Sequence, residues 1–436
     1  MPQTIASFDA SLKEYYEGPV RKIINHNSRV MRYTKKDTKP WEGRLVRFPV
    51  HVRRTEAVAF LNGGEALPAT QNQVTIECQI NRKQIWGHIG LTDDLIEAAK
   101  TDRGSFERPM AMEIEGMARD FVSVQNRSAF GTGEGKLGEV LSYAAGTSTI
   151  TARAMSDAQG SGINGNAGNR YIRQGMLLDI YTSAGVSRKL GVLVSTAPNV
   201  AANTFVLTGG TGADPVAGDG FFRARPSQLS PVNNEPMGLG GIIDDGTYIA
   251  TLHNINRTTY PIWSSQVINA GTFAAPGSMT LDLLQRAFDM ASEGGNGEPR
   301  ILWAHYSVRR EYLKLLVNDR RYIEPFKYEP GFKESQTEED LKTTLEFNGV
   351  PFVFDKDCPW ATIFGHAPGT FQNWENAPGH WVQDGKGGVF QLVPGTACLF
   401  QAQFSSYYNF GTNMAGPNSG FVIRNISATV DRVNPA

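Results

Sequence analysis

Few residues of this chain stand at spacings that could carry out covalent chemistry. Gly133, Gly135 and Gly138 spell GxGxxG, whose glycines can let a backbone approach a pyrophosphate. That run follows a helical pattern, however, whereas a dinucleotide site must follow a strand and open a helix. In the same GTGEGKL, three residues separate Gly131 from the Gly135-Lys136 pair, and Leu137 stands where a magnesium-binding hydroxyl is required. A phosphate-binding loop fails on both counts, and a helix stop followed by a turn accounts for the glycines. Asp355 and Asp357 in DKDCPW resemble the opening of a calcium loop, but Trp360 replaces the glycine that loop needs. The 7 histidines are scattered, with no HExxH and no Cys/His cluster at zinc spacing. There is no GxSxG, and Cys358 has no patterned histidine partner. Asn126, Asn256 and Asn425 head glycosylation triplets, which say nothing without secretion. No cofactor and no metal is expected, and no motif names an enzyme.

The basic residues Arg47, His51, Arg53 and Arg54 are the remaining cluster with chemical potential. They lack the interleaved stacking aromatics of a nucleic-acid groove, so a subunit contact or a solvated face suits them better. The whole chain agrees, since 42 Lys and Arg against 43 Asp and Glu leave no basic excess for a dedicated nucleic-acid binder. Its 436 residues can bury a sizeable core in two or three domains. With 46 Gly and 23 Pro, turns and short strands should dominate. Cys78, Cys358 and Cys398 are odd in number and far apart, which suits buried thiols in a reducing compartment. No secretory signal opens the chain, and no apolar run is long enough for a membrane span.

The basic cluster is positioned by a period-two stretch, RLVRFPVHVRR, with Val46, Phe48, Val50 and Val52 on one side and Arg47, His51 and Arg53 on the other. VTIECQINRK repeats the alternation, with Val74, Ile76, Cys78 and Ile80 opposite Thr75, Glu77, Gln79 and Asn81. Between them FLNGGEALPATQNQ carries Leu61, Glu65 and Leu67 on a Gly- and Pro-bearing tip, giving one very long β-hairpin. A two-stranded ribbon is marginal alone, so its apolar face needs cover, which a second copy of the chain would provide. The intersubunit contact residues are therefore taken as Arg47, His51, Arg53, Arg54, Leu61, Glu65, Leu67 and Glu77.

After the hairpin, WGHIGLTDDLIEAAK predicts a short helix capped by Thr92. A long helix over Ser105–Phe130 follows, with Met110, Ile114, Met117, Phe121 and Val124 as a narrow seam. Ser105 serves as its cap and Gly131 as a left-handed stop, while Glu107, Glu113, Glu115, Arg119, Asp120 and Arg127 occupy the other faces. Residues 1–40 hold a short helix around Ser7–Glu17 and a basic, poorly patterned arm, either a disordered tail or an arm that orders against a partner. Residues 141–225 read as an inserted β module, a small barrel or sandwich, with strands near Leu177–Tyr181, Leu190–Ser195, Thr204–Leu207 and Phe221–Ala224. Further on, 281–292 is an amphipathic helix with Leu281, Leu284 and Phe288 on one side, and 308–322 is another. Asn348-Gly349 marks a hairpin turn. The late stretches ACLFQAQFSSYYNF and FVIRNISATV look suited to pairing with each other. Strands grouped apart from few helices indicate an α+β fold.

This order of pieces, with a rod ending in AFGTGEG, resembles the major capsid protein of tailed bacteriophages, which has the Hong Kong 97-type fold. Further stretches carrying the resemblance are EGPVRKIINHNSRVM, VRFPVHVRRTEAVAFLNGGEALP, GHIGLTDDLIEAAK, EPMGLGGIIDDGTY with NRTTYPIW, VRREYLKLLVNDRRY, LEFNGVPFVFDKDCP and SYYNFGTNMAGPNSGFVIRNIS. The resemblance implies an N-terminal arm (1–40), an extended loop lying over an adjacent subunit (41–90) and a peripheral domain with a spine helix (91–140). Beyond the inserted module (141–225), it implies a mainly axial domain (226–350) and return strands (351–436). It further implies self-assembly into hexamers and pentamers of an icosahedral head around double-stranded DNA. Portal, scaffolding and decoration proteins would be the other partners, and a virion assembled in the host cytoplasm the location. Some family members crosslink through a loop lysine, but Phe60–Gln73 contains none. An encapsulin-like nanocompartment shell and a β-rich carbohydrate-binding protein are the alternatives.

Overall fold

The computed structural model describes residues 29–37, 41, 43–92, 103–153, 168–199, 201–225, 230–272, 275–295, 297–319, 345–383, 389–393, 399–413 and 416–428. It is a mixed α+β fold of many strands and few helices. The chain forms two compact units, one drawn from Met1–Leu45, Asn81–Ala129 and Gln372–Phe410, the other from Val46–Ile80, Phe130–Phe371 and Gly411–Ala436. The expected helix at Ser7–Glu17 and the segment DDLIEAAK lie outside the described residues.

In the first unit, strand Lys83–Thr92 runs antiparallel to Leu399–Gly411 from Lys83↔Tyr408 to Thr92↔Leu399. Thr92 thus ends a strand rather than capping a helix, because WGHIGLT is drawn into this ladder. The sheet continues through Gln372–Trp381 to Lys35–Asp37, which pairs in parallel with 372–374. Part of the arm is therefore ordered on this chain itself, with Arg29–Tyr33 a short helix.

The long helix runs from Arg103 to Ala129, so Ser105 lies inside it rather than at its cap. Ile114, Ala118 and Phe121 pack on Ile89, Ala402, Phe404 and Trp381. Phe121 meets Phe404 edge-on at 5.1 Å. The seam is narrow only to this point. From Gln125 to Phe130 every residue is buried, Arg127 included, because the last turns are enclosed on all sides. Gly87 lets strand and helix approach closely, since a Cβ there would lie 2.8 Å from Met117 Sδ. The left-handed positions after the helix are Gly133 and Gly135, at φ +85° and +83°, and not Gly131.

The second unit contains a mixed sheet ordered Gln266–Asn269, Gly420–Arg424, Ile363–His366, Ile301–Ala304, Val350–Phe354 and Glu346–Phe347. Helix Leu281–Gly294 carries Leu284, Ala287, Phe288 and Ala291 into the core on this sheet, and Thr280 Oγ1 accepts the Leu283 N–H at its start. Leu281 is 37% exposed; as the first helical residue it stands off the buried face. Asn348 and Gly349, at φ 52° and 74°, form the two-residue turn between Phe347 and Val350. The late strands Leu399–Gly411 and Gly420–Arg424 do not pair with each other. The first joins the sheet of the first unit, and the second lies between Gln266–Asn269 and Ile363–His366.

Strands between Gly138 and Arg223 build a separate antiparallel sheet in the second unit. Apart from the two-residue strand Thr211–Gly212, which pairs with Ser187–Val194, its strands follow the order Ser187–Val194, Leu177–Tyr181, Gly220–Arg223, Gly138–Ala144, Thr149–Arg153 and Thr204–Thr208. The last pairs back on the first through Leu193↔Thr208 and Val194↔Leu207, closing a barrel. Val140, Ile150, Leu178, Ile180, Val192, Phe205 and Phe221 fill it. Closure leaves few free edges, which suits a module that needs no neighbour to complete its hydrogen bonding.

Candidate assembly surface

The hairpin strands Leu45–Arg53 and Val74–Asn81 pair as a two-stranded ribbon. Alternation sends Phe48, Val50, Val52, Cys78 and Ile80 inward, all 9% exposed or less, and leaves Arg47, His51, Arg53 and Glu77 outside. The root of the ribbon is therefore covered by its own chain, contrary to the expectation that a second copy must shield the whole apolar face. The Gln79 N–H donates to His253 O at 2.9 Å. Ile80 lies over Gly411, where a Cβ would approach its Cδ1 to 2.6 Å. His253 and Asn254, at φ 50° and 72°, form the turn that presents this carbonyl. Burial pushes the Cys78 thiol up to about 12, which keeps it an inert part of the core.

The exposed side of the ribbon carries an ion pair between Arg47 Nε and Glu77 Oε1 at 3.1 Å, and Arg54 Nε reaches Glu56 Oε1 at 3.3 Å. Both pairs are solvated and contribute little to folding. Beyond Arg53 the ladder ends. Thr55 Oγ1 still donates to Gln71 O at 2.9 Å, tying the two legs of the tip together. At the far end Glu65 accepts from the Asn62 backbone N–H at 3.1 Å and from Asn62 Nδ2 at 2.9 Å, and these bonds hold its carboxyl below the ordinary range. Apolar groups stand bare around this turn, with Phe60 at 108%, Leu67 at 85%, Val58 at 83% and Leu61 at 42% exposure. Phe60 and Val58 escaped the sequence reading, although an aromatic beside Asn62-Gly63-Gly64 was a usable signal. The candidate residues thus fall into two groups along one arm. Arg47, His51, Arg53, Arg54 and Glu77 lie on or beside the ribbon, and Leu61, Glu65 and Leu67 lie at the tip.

Several other titratable groups among the described residues are buried within the fold. Asp244 is fully buried between Arg257 Nη1 at 3.4 Å and Arg424 Nη2 at 3.1 Å. It also accepts the N–H groups of Gly246, Tyr248 and Ile249. Asp355 and Asp357 are buried, with the Asp357 N–H donating to Asp355 Oδ1 at 2.8 Å. Burial drives the Cys358 thiol well above its ordinary value, with Asp355 adding to the effect. Among the described residues no group of three or more His, Cys, Asp or Glu is placed to hold a metal ion. No described helix is long and apolar enough to cross a membrane.

The ribbon arm, the long helix on its sheet and the mixed second sheet make a fold that a solved phage capsid chain shares. No family model and no curated protein matches the sequence. The structure is similar to the chain solved as the cyanophage A-1(L) capsid asymmetric unit, with a TM-score of 0.51 at 10% identity over 92% of this chain and 93% of that one. Looser matches include the capsid of a native GTA particle (TM-score 0.43, 10% identity, 92% and 90% covered). Another is an encapsulin complex from Synechococcus elongatus (TM-score 0.42, 9% identity, 93% and 90% covered).

Proposed function

We propose that this chain is a major capsid protein whose chemistry is association rather than catalysis. Copies assemble into hexamers and pentamers that close an icosahedral head around double-stranded DNA. The observation that carries this reading is the fold shared with the cyanophage capsid chain over more than nine tenths of both chains. The bare tip supports it, because Val58, Phe60 and Leu67 gain about 2 kcal/mol each when covered, and the described residues of their own chain leave them exposed. Seating the tip on an adjacent subunit supplies that cover, and the ribbon root, fixed at Gln79 and Ile80, sets its direction. Near-neutral overall charge suits a wall that holds DNA without gripping it. On this reading the 41–90 arm is the intersubunit element, and 138–223 is an elaboration of the shell subunit.

Electron microscopy of the purified chain tests the proposal, with closed particles expected. Particles recovered from an infected or expressing host should contain DNA; a protein cargo in its place would move the assignment to a nanocompartment. Deleting Leu61–Ala69 should leave folded subunits that no longer close shells. Intact particles from the deletion variant at undiminished yield would remove the hairpin from the assembly mechanism.

A further inference from the structure

We propose that Asn62 is a site of spontaneous deamidation through a succinimide, and that Glu65 restrains it. The chemistry needs no cofactor. The Gly63 backbone nitrogen gives its proton to solvent base and attacks Asn62 Cγ. The Cγ–Nδ2 bond then breaks, and the amide nitrogen departs with a proton as ammonia. Water opens the cyclic imide at either carbonyl, yielding aspartate or, by the other opening, isoaspartate. Nothing is oxidised or reduced.

Two Asn-Gly steps have both residues described, and the structure separates them. Asn62-Gly63 lies in the exposed tip between strand ends Arg53 and Val74, where no ladder fixes the backbone. Gly63 is exposed and a Cβ built on it would meet nothing within 4 Å, so nothing crowds the approach of solvent base to this step. Asn348-Gly349 is equally exposed, but it is locked in the two-residue turn between paired Phe347 and Val350. Asn348 Nδ2 also donates to Gln285 Oε1 at 2.7 Å, holding the carboxamide. Exposure is thus matched, and backbone freedom differs.

The restraint at residue 62 is the forked carboxylate. Glu65 Oε1 accepts from Asn62 Nδ2 at 2.9 Å and Oε2 from the Asn62 N–H at 3.1 Å, while the Glu65 N–H returns to Asn62 O at 3.2 Å. Turning Cγ toward the Gly63 nitrogen breaks the charge-assisted bond to Nδ2, so the ground state is held back. Once ammonia has left, the donor is gone and a carboxylate faces Glu65. Repulsion opens the turn beside Phe60 and Leu61, and isoaspartate also lengthens the backbone there. The assembly consequence rests on the shell reading above: subunits left unassembled lose competence at the tip as they age.

Purified unassembled subunits incubated in mildly alkaline buffer test this, with peptide mass mapping and enzymatic methylation of isoaspartate as readouts. Residue 62 should convert while Asn348 persists. Gly63→Ala should slow conversion strongly, Glu65→Ala should hasten it severalfold, and aged wild-type subunits should assemble less than fresh ones. Conversion at Asn348 as fast as at Asn62, or a rate indifferent to Gly63→Ala, overturns the site. An unaltered rate in Glu65→Ala overturns the restraint. Fully converted subunits that assemble at the fresh yield overturn the consequence alone. Failure of fresh subunits to assemble strikes the shell reading and leaves the residue 62 result standing.

Discussion

Acid should loosen the mixed sheet of the second unit through one histidine. His366 is 4% exposed on strand Ile363–His366, and its ring is bonded at both nitrogens. Nδ1 lies 2.9 Å from Ala367 O, which can only accept, so Nδ1 carries the proton. Nε2 then accepts the Trp303 indole N–H at 3.1 Å. Protonating Nε2 would set two N–H groups against each other in a buried site. Burial accordingly lowers the His366 pKa from 6.5 to about 4, opposed in part by the Ala367 bond. The unfolded chain binds this proton near the ordinary value, so the stabilisation is present at neutral pH and is lost as pH falls from about 6.5 toward about 4. At about 1.4 kcal/mol per tenfold difference in proton affinity, going from about pH 7 to pH 5 removes about 2 kcal/mol. Full protonation removes about 3 kcal/mol. His253 and His305, each lowered to about 3 chiefly by burial, act in the same direction. His366→Gln separates the contributions, since its carbonyl can accept the indole N–H without titrating. Hydrogen exchange of amides 301–304 and 363–366 in unassembled subunits should accelerate between pH 7 and 5 in the wild type, after correction for intrinsic rates. The acceleration should be smaller in the variant by the factor that corresponds to about 2 kcal/mol. Identical pH dependence in the two proteins, or His366 titrating at its ordinary value by NMR, would refute the reasoning.

Two further perturbations follow from the ion pairs. Asp244→Asn leaves Arg257 and Arg424 facing each other without the buried carboxylate; about 3–5 kcal/mol of stability should be lost, read as a lowered denaturation midpoint of the unassembled subunit. Arg47→Glu with Arg53→Glu places two new carboxylates on the solvent face that carries Glu77, so the fold should change by less than about 1 kcal/mol. Particle yield should fall at low salt and recover at high salt, and a yield independent of salt would contradict an electrostatic role for this face.

The legible parts of the fold were those set by local rules. The period-two pattern of 45–53 and 74–81 matches the observed faces at Phe48, Val50, Val52, Cys78 and Ile80, while Val46, Val74 and Ile76 are only half-buried. A pleated strand admits two directions, but burial depends on what covers each. Asn348-Gly349 was readable because both turn positions have positive φ. What misled was information carried by distant partners. WGHIGLT has the polar punctuation of a loop entering a helix, yet ten residues from 83 to 92 find a ladder more than three hundred positions away. The two late stretches are both strand-forming, but strand propensity never fixes a partner, and each is claimed by a different sheet. Arg127 looked like surface because charge was read without knowing that the end of the helix is enclosed.

The same distinction bears on the arm. A ribbon of this composition was expected to leave its whole apolar face for a neighbour, and the structure divides that face in two. Phe48, Val50, Val52, Cys78 and Ile80 are already covered, so folding the subunit does not depend on assembly at the root. Val58, Phe60, Leu61 and Leu67 are not covered, and the segment that carries them has a Thr55–Gln71 tie and an Asn62–Glu65 turn in place of a ladder. A fixed root with a compliant tip is what a subunit needs if the same chain is to meet neighbours at five-fold and six-fold angles. Under the proposed shell reading, the root would set where the arm goes and the tip would absorb the difference in angle at little energetic cost, because few hydrogen bonds have to be broken to bend it.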